Sequence, residues 1–414
     1  MKFELDGTFP FIHKEGYRQR LISGLAAEIR ATVNWPSAGL DTWFGGGYDT
    51  TTAGVKVNQD TALKHAAYWR AINLLSSQIG SFPVDLFKRL PDGDTQEIKD
   101  HPGLNLITEK PNNVSTPFVY RESVQANILT WGNGYSYIKR DMKGTPLSLH
   151  IQDPVKVKPK SDGADIVYDI GNNIGIDPYF ILHIPGLSYD GVKGLAPIQV
   201  AAESIGGGLG LQKYSNEFIA NGAKQSGVLT HPMALSDKAR EGLRKSYDKK
   251  MKGPDGGTMI LDEGMKYQPL TIPPDQAQFL ESRKFSVNDI ARWFGIPPHL
   301  LYEESRSTFN NIAEQGISFV TYTLTQWVVR WEDELNRKLL TEEEKEDHFF
   351  KFNMNALMRG NAKDRFEAYR VGLDLGVYSI NEIRRIEELN SIDGGDQHLV
   401  QINREPINKT NQDG

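Results

Sequence analysis

A chain of 414 residues, 39% of them hydrophobic, with no cysteine and a formal net charge of −6, is long enough for two or three domains that each bury a core. The absence of cysteine excludes disulfides, thiolate metal sites and cysteine nucleophiles, and it fits a reducing compartment. The acidic balance argues against a protein that coats nucleic acid, though not against contact at a few positions, and no apolar run reaches the ~18–20 residues of a membrane span.

The first ten residues, MKFELDGTFP, carry acidic side chains and no apolar h-region, which argues against a signal peptide. Residues 1–60 show little periodicity and read as an arm or lead-in. ALKHAAYWRAINLLSSQIGS predicts a helix with Tyr68, Ile72, Leu75 and Ile79 on one face. FPVDLFKRL alternates as a strand, and PDGD turns it back. Pro117 opens a second helix, with Tyr120, Val124, Ile128 and Trp131 along one side. GNGYSYIKRD, GTPLSLHIQDPVKVKPK, DIVYDI and YFILHIPG read as strands, so residues 60–190 predict an α+β region with mostly antiparallel pairing.

Residues 196–221 are predicted helical around a glycine run, Gly206 to Gly210. GVLTHP reads as a strand, SDKAREGLRKSYDKKMKG as a basic amphipathic helix capped by Ser236, and GGTMILDEGMKYQPLTI as a hairpin. Pro274 opens a helix that runs to Phe294, where Gly295, Pro297 and Pro298 stop it. A polar segment follows, and then the longest predicted helix, NIAEQGISFVTYTLTQWVVRWEDELNRKLL. Its stripe is Val320, Leu324, Trp327, Trp331, Leu335 and Leu339. An acidic turn, TEEEKED, leads to the strand HFFKFNM and to two helices, KDRFEAYRVGLDLG and SINEIRRIEELN. No internal repeat is present.

Few motifs carry chemistry. The glycine run lacks the preceding strand and the lysine of a P-loop. Glycines inside a helix cost ~1 kcal/mol each against alanine, so their expected role is close helix packing or a bend. The nine histidines are scattered, with no metal-ligand spacing, and are expected to be solvated or satisfied structurally. Gly186 to Gly191 misplaces the second glycine of a nucleophile elbow. Two features stand out. Lys238, Arg240, Arg244, Lys245, Lys249, Lys250 and Lys252 crowd one short helix, as a solvated face or as a docking surface for an acidic partner. Ser305, Arg306, Ser307 and Thr308 form a hydroxyl-rich tip with one cation between two long helices.

The order of AAYWRAINLLSSQIGSFPVDLFKR, HPGLNLITEKPNNVSTPFVYRESVQANILTWGNGYSYI, ESRKFSVNDIARWFGIPPHLL, STFNNIAEQGISFVTYTLTQWVVRWEDELNRKLL and FNMNALMRGNAKDRFEAYRVGLDLGVYSINEIRRIEEL resembles the portal proteins of long-tailed bacteriophages, from about residue 60 to 396. The resemblance implies an α+β subunit in a ring of about twelve copies at one capsid vertex. Double-stranded DNA would be driven through its channel by the terminase large subunit, and would leave by the same route. By element order, residues 1–60 lead into a wing, 61–195; 196–224 and 273–294 are stem helices; 225–272 is a clip. Residues 295–311 are a tunnel loop, 312–357 the long helix and return to the wing, and 358–414 a crown and tail.

The implied partners are copies of the chain, DNA, terminase, the major capsid protein and head-completion or adaptor proteins. No membrane, cofactor, metal or catalytic residue is implied. The site of assembly would be the host bacterial cytoplasm and the final location the virion. On this reading Ser305, Arg306, Ser307 and Thr308 face DNA, and Thr308 or Asn310 caps the next helix. Arg240, Arg244, Lys245 and Lys249 would face the motor or a connector. Arg306 could instead pair with Glu303 or Glu304 of a neighbouring subunit. Two other classes compete: a head-completion or adaptor ring without a stem, and a nucleotide-dependent enzyme using the glycine run.

Overall fold

In the computed structural model, residues 50–162, 165–220, 227–231, 235–251, 264–269, 276–303, 315–354, 362–387 and 389–399 are described. They form helices and four small antiparallel sheets, the α+β class expected. Helix α1 (Ala66–Ser81) is capped by His65, whose Nδ1 accepts from Tyr68 N, and buries Tyr68, Ile72, Leu75 and Ile79 as the spacing predicts. A hairpin, β1 (Val84–Arg89) and β2 (Thr95–Ile98), follows. The short helix α2 (Pro102–Thr108) is absent from the sequence reading: so few turns give no period, and only the His101-Pro102 start marks it.

Helix α3 (Pro117–Trp131) begins with Pro117 after a Thr116 cap and packs along α1. Tyr120, Val124 and Ile128 are fully buried, and Trp131 is half-buried. Its Arg121 turns back to the end of α1, donating to Phe82 O at 2.8 Å and Gly80 O at 2.7 Å. A guanidinium thus supplies the donors that a helix C-terminus lacks, and its positive charge suits the negative end of the dipole.

Strands β3 (Asn133–Arg140), β4 (Pro146–Gln152), β5 (Val157–Asp162), β6 (Asp165–Ile170), β7 (Asn173–Ile176) and β8 (Ile181–Pro185) form two sheets, β4–β3–β8 and β5–β6–β7. The run GTPLSLHIQDPVKVKPK is two strands, divided at Asp153–Pro154, because proline removes a ladder donor. Strand β7 leaves no signal in the sequence; its exposed middle residues break the alternation. Between the two sheets His183 is buried, its Nδ1 3.0 Å from Tyr168 OH and its Nε2 3.0 Å from Asn133 Oδ1. Asn133 Oδ1 also accepts from Gly194 N at 2.8 Å, so the histidine carries its proton on Nε2 and the tyrosine donates to Nδ1. Burial holds its pKa down to about 3.

Downstream come a helical turn at Pro197–Val200 and helix α4 (Ala202–Ala220), a break at Ala201 in what the pattern gives as one helix. Strand β9 (Gly227–Thr230), helix α5 (Asp237–Met251) and strand β10 (Lys266–Pro269) follow, with β9 and β10 paired. The first strand of the expected 256–272 hairpin and the Pro274 helix start lie outside the described residues. Helix α6 (Gln276–Phe294) packs on α4 and α1.

The long helix is not uniform. Residues 315–318 are α-helical, Phe319–Leu324 form a π segment, and α7 (Thr325–Leu339) continues from it. A π turn holds an extra residue, so the buried stripe moves. Phe319, Leu324, Val328, Trp331, Leu335 and Leu339 are buried, whereas the expected Val320 and Trp327 are half-buried.

The last strand, β11 (His348–Phe352), returns to pair with β1, giving the sheet β11–β1–β2. Helix α7 crosses the outer edges of both β8 and β11, where backbone groups have no strand partner. Glu334 accepts from His183 N at 2.9 Å, Asn336 from Phe350 N at 2.7 Å and Glu332 from Phe352 N at 2.8 Å. Arg330 donates to Pro185 O and Gly186 O at 3.1 and 2.9 Å. Lys338 donates to Pro178 O at 2.5 Å, and burial lowers its pKa to about 8. Trp331 is fully buried at the centre and donates to Gln125 Oε1 at 2.9 Å. Two helices, α8 (Ala362–Asp374) and α9 (Ile380–Ile386), follow, α9 with a Ser379–Glu382 capping box.

Candidate functional site

Helix α6 ends as its sequence requires. Gly295 adopts φ +63°, a left-handed turn that glycine takes without steric cost, and Ile296 N donates back to Ala291 O at 2.9 Å. A Cβ on Gly295 would lie 2.9 Å from Thr323 Oγ1. That hydroxyl, presented by the π segment, donates to Gly295 O at 2.5 Å. After Pro297 the chain makes a single 3-10 turn, Pro298–Leu301, and buries Ile296 and Leu301.

Further contacts hold this base. Arg70 of α1 donates through Nε to Leu300 O at 3.2 Å, and its guanidinium lies 5.0 Å over the Tyr302 ring. Lys284 of α6 pairs with Glu303 at 3.5 Å. His299 Nδ1 lies 2.7 Å from Gln315 Oε1. These last two residues lie on either side of segment 304–314, so the described chain before it is tied to the described chain after it. Ser305, Arg306, Ser307, Thr308 and Asn310 lie outside the described residues. Glu303, the neighbour partner weighed for Arg306, already has Lys284 in its own chain.

Helix α5 starts as expected, with Ser236 Oγ accepting from Ala239 N at 3.3 Å. Lys238, Arg240, Arg244 and Lys245 are all exposed. Arg240 approaches Asp237 at 3.4 Å and Lys245 approaches Glu241 at 2.8 Å, surface pairs of the kind that contribute little to stability. The Lys249 side chain lies outside the described residues. Of the two candidate groups, the structure places only Arg240, Arg244 and Lys245, on helix α5.

The glycine run is helix interior and packs closely. A Cβ on Gly206 would lie 2.5 Å from Thr51 Oγ1; on Gly208 it would meet His65 and Ser286; on Gly210 it would lie 3.3 Å from Ala53 Cβ. Residues 51–55, α1 and α6 thus fill the space a phosphate would need. His65 Nε2 lies 3.1 Å from Ser286 Oγ, and burial and Arg283 lower its pKa. Ser188 Oγ lies 2.8 Å from both Asp190 Oδ1 and Lys193 O, and the same Asp190 oxygen accepts from Val192 N and Lys193 N, the pattern of a closed turn. A cleft of about 360 Å³ at the end of α7, lined also by the turn before β11 and the end of β1, contains Arg89, Arg337 and Lys345, but Arg337 is paired with Glu334 at 2.7 Å and Lys345 with Glu342 at 2.6 Å. Among the described residues no group of three His, Asp or Glu could hold a metal, and no helix is long and apolar enough to cross a membrane.

Sequence reading missed Thr323, Arg70 and the His299–Gln315 tie. A threonine within an apolar stripe was the one available signal; the other two depend on long-range contact.

The phage portal protein family matches residues 66–388. The chain is 32% identical over 371 residues to the probable portal protein of Streptomyces phage phiC31, covering 85% of this chain and 80% of that one. It is similar in fold to a HK97 family phage portal protein from Corynebacterium diphtheriae, with a TM-score of 0.58, 18% identity, and 72% of this chain and 96% of that one covered. A chain in the neck of a native gene transfer agent particle, computed with C12 symmetry, matches at a TM-score of 0.52 and 21% identity, covering 80% and 92%.

Proposed function

This chain belongs to the phage portal protein family, and we propose that it closes into a ring of about twelve copies at one capsid vertex, around a channel for double-stranded DNA. The terminase large subunit drives DNA in through this channel, and the genome leaves by it. The C12 neck of the gene transfer agent particle supports the ring. Residues 61–195 with 312–357 serve as the wing, 196–224 and 273–294 as stem helices, 225–272 as the clip and 358–414 as the crown and tail. The major capsid protein meets the ring from outside. Assembly takes place in the host cytoplasm, and no residue is assigned a catalytic role.

The observation that carries this reading is the family match over residues 66–388, and the ties around the proposed tunnel loop fit it. The proposed tunnel loop, 295–311, begins at Gly295, which accepts from Thr323, and His299 within it meets Gln315 beyond it. Such ties suit the base of a loop beside a moving polymer. Electron microscopy of the purified chain is expected to show a closed ring with a stem and a central channel wide enough for a duplex. Monomers at all concentrations, or a short ring without a stem, would overturn the reading.

Within that ring Ser305, Arg306, Ser307 and Thr308 face DNA, while Arg240, Arg244, Lys245 and Lys249 face the terminase or a head-completion protein. One cation per subunit gives weak contact that repeats around the channel, a salt-sensitive hold that still permits sliding. Two variants separate the roles. Arg306→Ala is expected to leave the ring intact and alter genome packaging or retention, more at low salt. Arg240→Glu with Arg244→Glu is expected to leave the ring intact and weaken capture of terminase or adaptor. Loosening of the ring by Arg306→Ala would make that arginine an intersubunit contact, and unchanged capture would make the α5 cations a solvated face.

A further inference from the structure

The cleft of about 360 Å³ at the end of α7 is lined by the end of β1, the last turn of α7 and the turn that leads into β11. Its hydrogen-bonding groups are unevenly spent. Arg89 is exposed, and its guanidinium lies 5.0 Å over the Phe349 ring. Stacking on a ring orients that plane and leaves its N–H groups able to donate. No side-chain hydrogen bond or carboxylate pair engages Arg89 among the described residues. Asn336 uses Oδ1 on Phe350 N, and its Nδ2 has no acceptor among the described residues. Arg337 gives Nε and Nη2 to Glu334, a bidentate pair that holds the fork still and leaves Nη1 unspent.

The acceptors of the cleft are mostly used. Asp347 meets Lys88 at 3.3 Å with one oxygen and His348 Nδ1 with the other. Glu346 is exposed and has no partner among the described residues. Lys345 pairs with Glu342, but Glu342 is 90% exposed, so water and salt screen that contact. Donor capacity therefore exceeds acceptor capacity, and the cleft calls for an anion. The wall formed by residues 341–347 limits which anion. It carries Glu342, Glu343, Glu344, Glu346 and Asp347 against Lys345 alone. A duplex, with one charge per ~1.7 Å of axis, would meet that acidic turn together with the donors. A single carboxylate on a protein segment can reach the donors and leave the turn in water. Beside them Phe349 is half-buried, with its ring 5.8 Å from that of Phe87, and gives an apolar contact.

We propose that this cleft docks a segment of a partner protein, one that presents a carboxylate next to an apolar side chain. The carboxylate takes its hydrogen bonds from Arg89, Arg337 Nη1 and Asn336 Nδ2, and the apolar group lies against Phe349. The site is built within one chain, so it does not rest on the ring reading above.

Saturation-transfer NMR tests this, since it detects weak ligands on large proteins. The probe is the capped dipeptide acetyl-phenylalanyl-glutamate amide, and its glutamine counterpart is the uncharged control. The full chain, in whatever assembly it forms, should transfer saturation to the glutamate peptide, most strongly to its aromatic protons, and not to the glutamine peptide. Arg89→Gln should bind the glutamate peptide at least about fivefold more weakly, with an unchanged unfolding midpoint, because Arg89 is exposed. Lys158→Gln, at an exposed cation on β5 outside the cleft, should bind as the parent does. Equal transfer to the two peptides would overturn the proposal, as would full binding by Arg89→Gln. An equal loss in Lys158→Gln would reduce the effect to general surface charge and overturn it too. Displacement of the peptide by an equimolar duplex oligonucleotide would assign the cleft to nucleic acid instead. Binding by a dissociated subunit but not by the assembled protein would show that a neighbouring copy covers the cleft, and would also overturn the proposal.

Discussion

Trp331→Ala is expected to lower the free energy of unfolding by about 4 kcal/mol. Trp331 is fully buried at the middle of α7, with its ring 6.3 Å from that of Phe352. Truncation removes a large buried area and leaves a cavity that two sheets and α3 cannot readily close. It also removes the donor to Gln125 Oε1, on a glutamine that is itself fully buried. Chemical unfolding at fixed protein concentration measures the loss, because assembly would otherwise shift the midpoint. Trp331→Phe, which keeps most of the volume, should cost about half as much. A loss below about 1 kcal/mol for the alanine variant would show that the site collapses onto itself.

Arg121→Ala is expected to cost about 3 kcal/mol. Arg121 is 7% exposed, and its two donors serve Gly80 O and Phe82 O at the end of α1. Burial lowers its pKa to about 10, yet it stays protonated near neutrality. Removing it leaves two carbonyls beneath the packed α1–α3 contact with no donor. Arg121→Met retains much of the bulk and loses the hydrogen bonds and the charge. If methionine restores most of the stability, packing rather than helix-end capping explains the residue. The measurement is again the unfolding midpoint, with hydrogen exchange at the last turn of α1 as a local reading.

Much of this fold is legible in local pattern. The faces of α1 and α3, the β1–β2 hairpin, the Ser236 cap and the stop at Gly295 follow from spacing and backbone chemistry. The π segment does not, because the weak helix propensity of FVTYTL does not specify an extra residue in the turn. It is favoured by partners far away: Thr323 reaches Gly295, while α7 is held by the edges of two sheets. The same long-range logic hides Glu332, Glu334 and Lys338. By type they belong on a wet face, but they are 8%, 6% and 7% exposed because strand-edge groups lie opposite them. The expected place of a tunnel loop comes from element order and family resemblance, and the ties between described residues on either side of 304–314 come only from the fold.

The crossing of α7 over β8 and β11 has a further consequence, for mistakes in assembly. An open strand edge invites a strand from another molecule, and copies that must gather side by side meet at high local concentration. Glu334, Asn336 and Glu332 occupy the N–H groups that an invading strand would use. Two sheets in each subunit are thereby closed to growth on that side. Joining by strand addition, which has no natural stopping point, is blocked there, and association is left to side-chain surfaces whose geometry can close on itself.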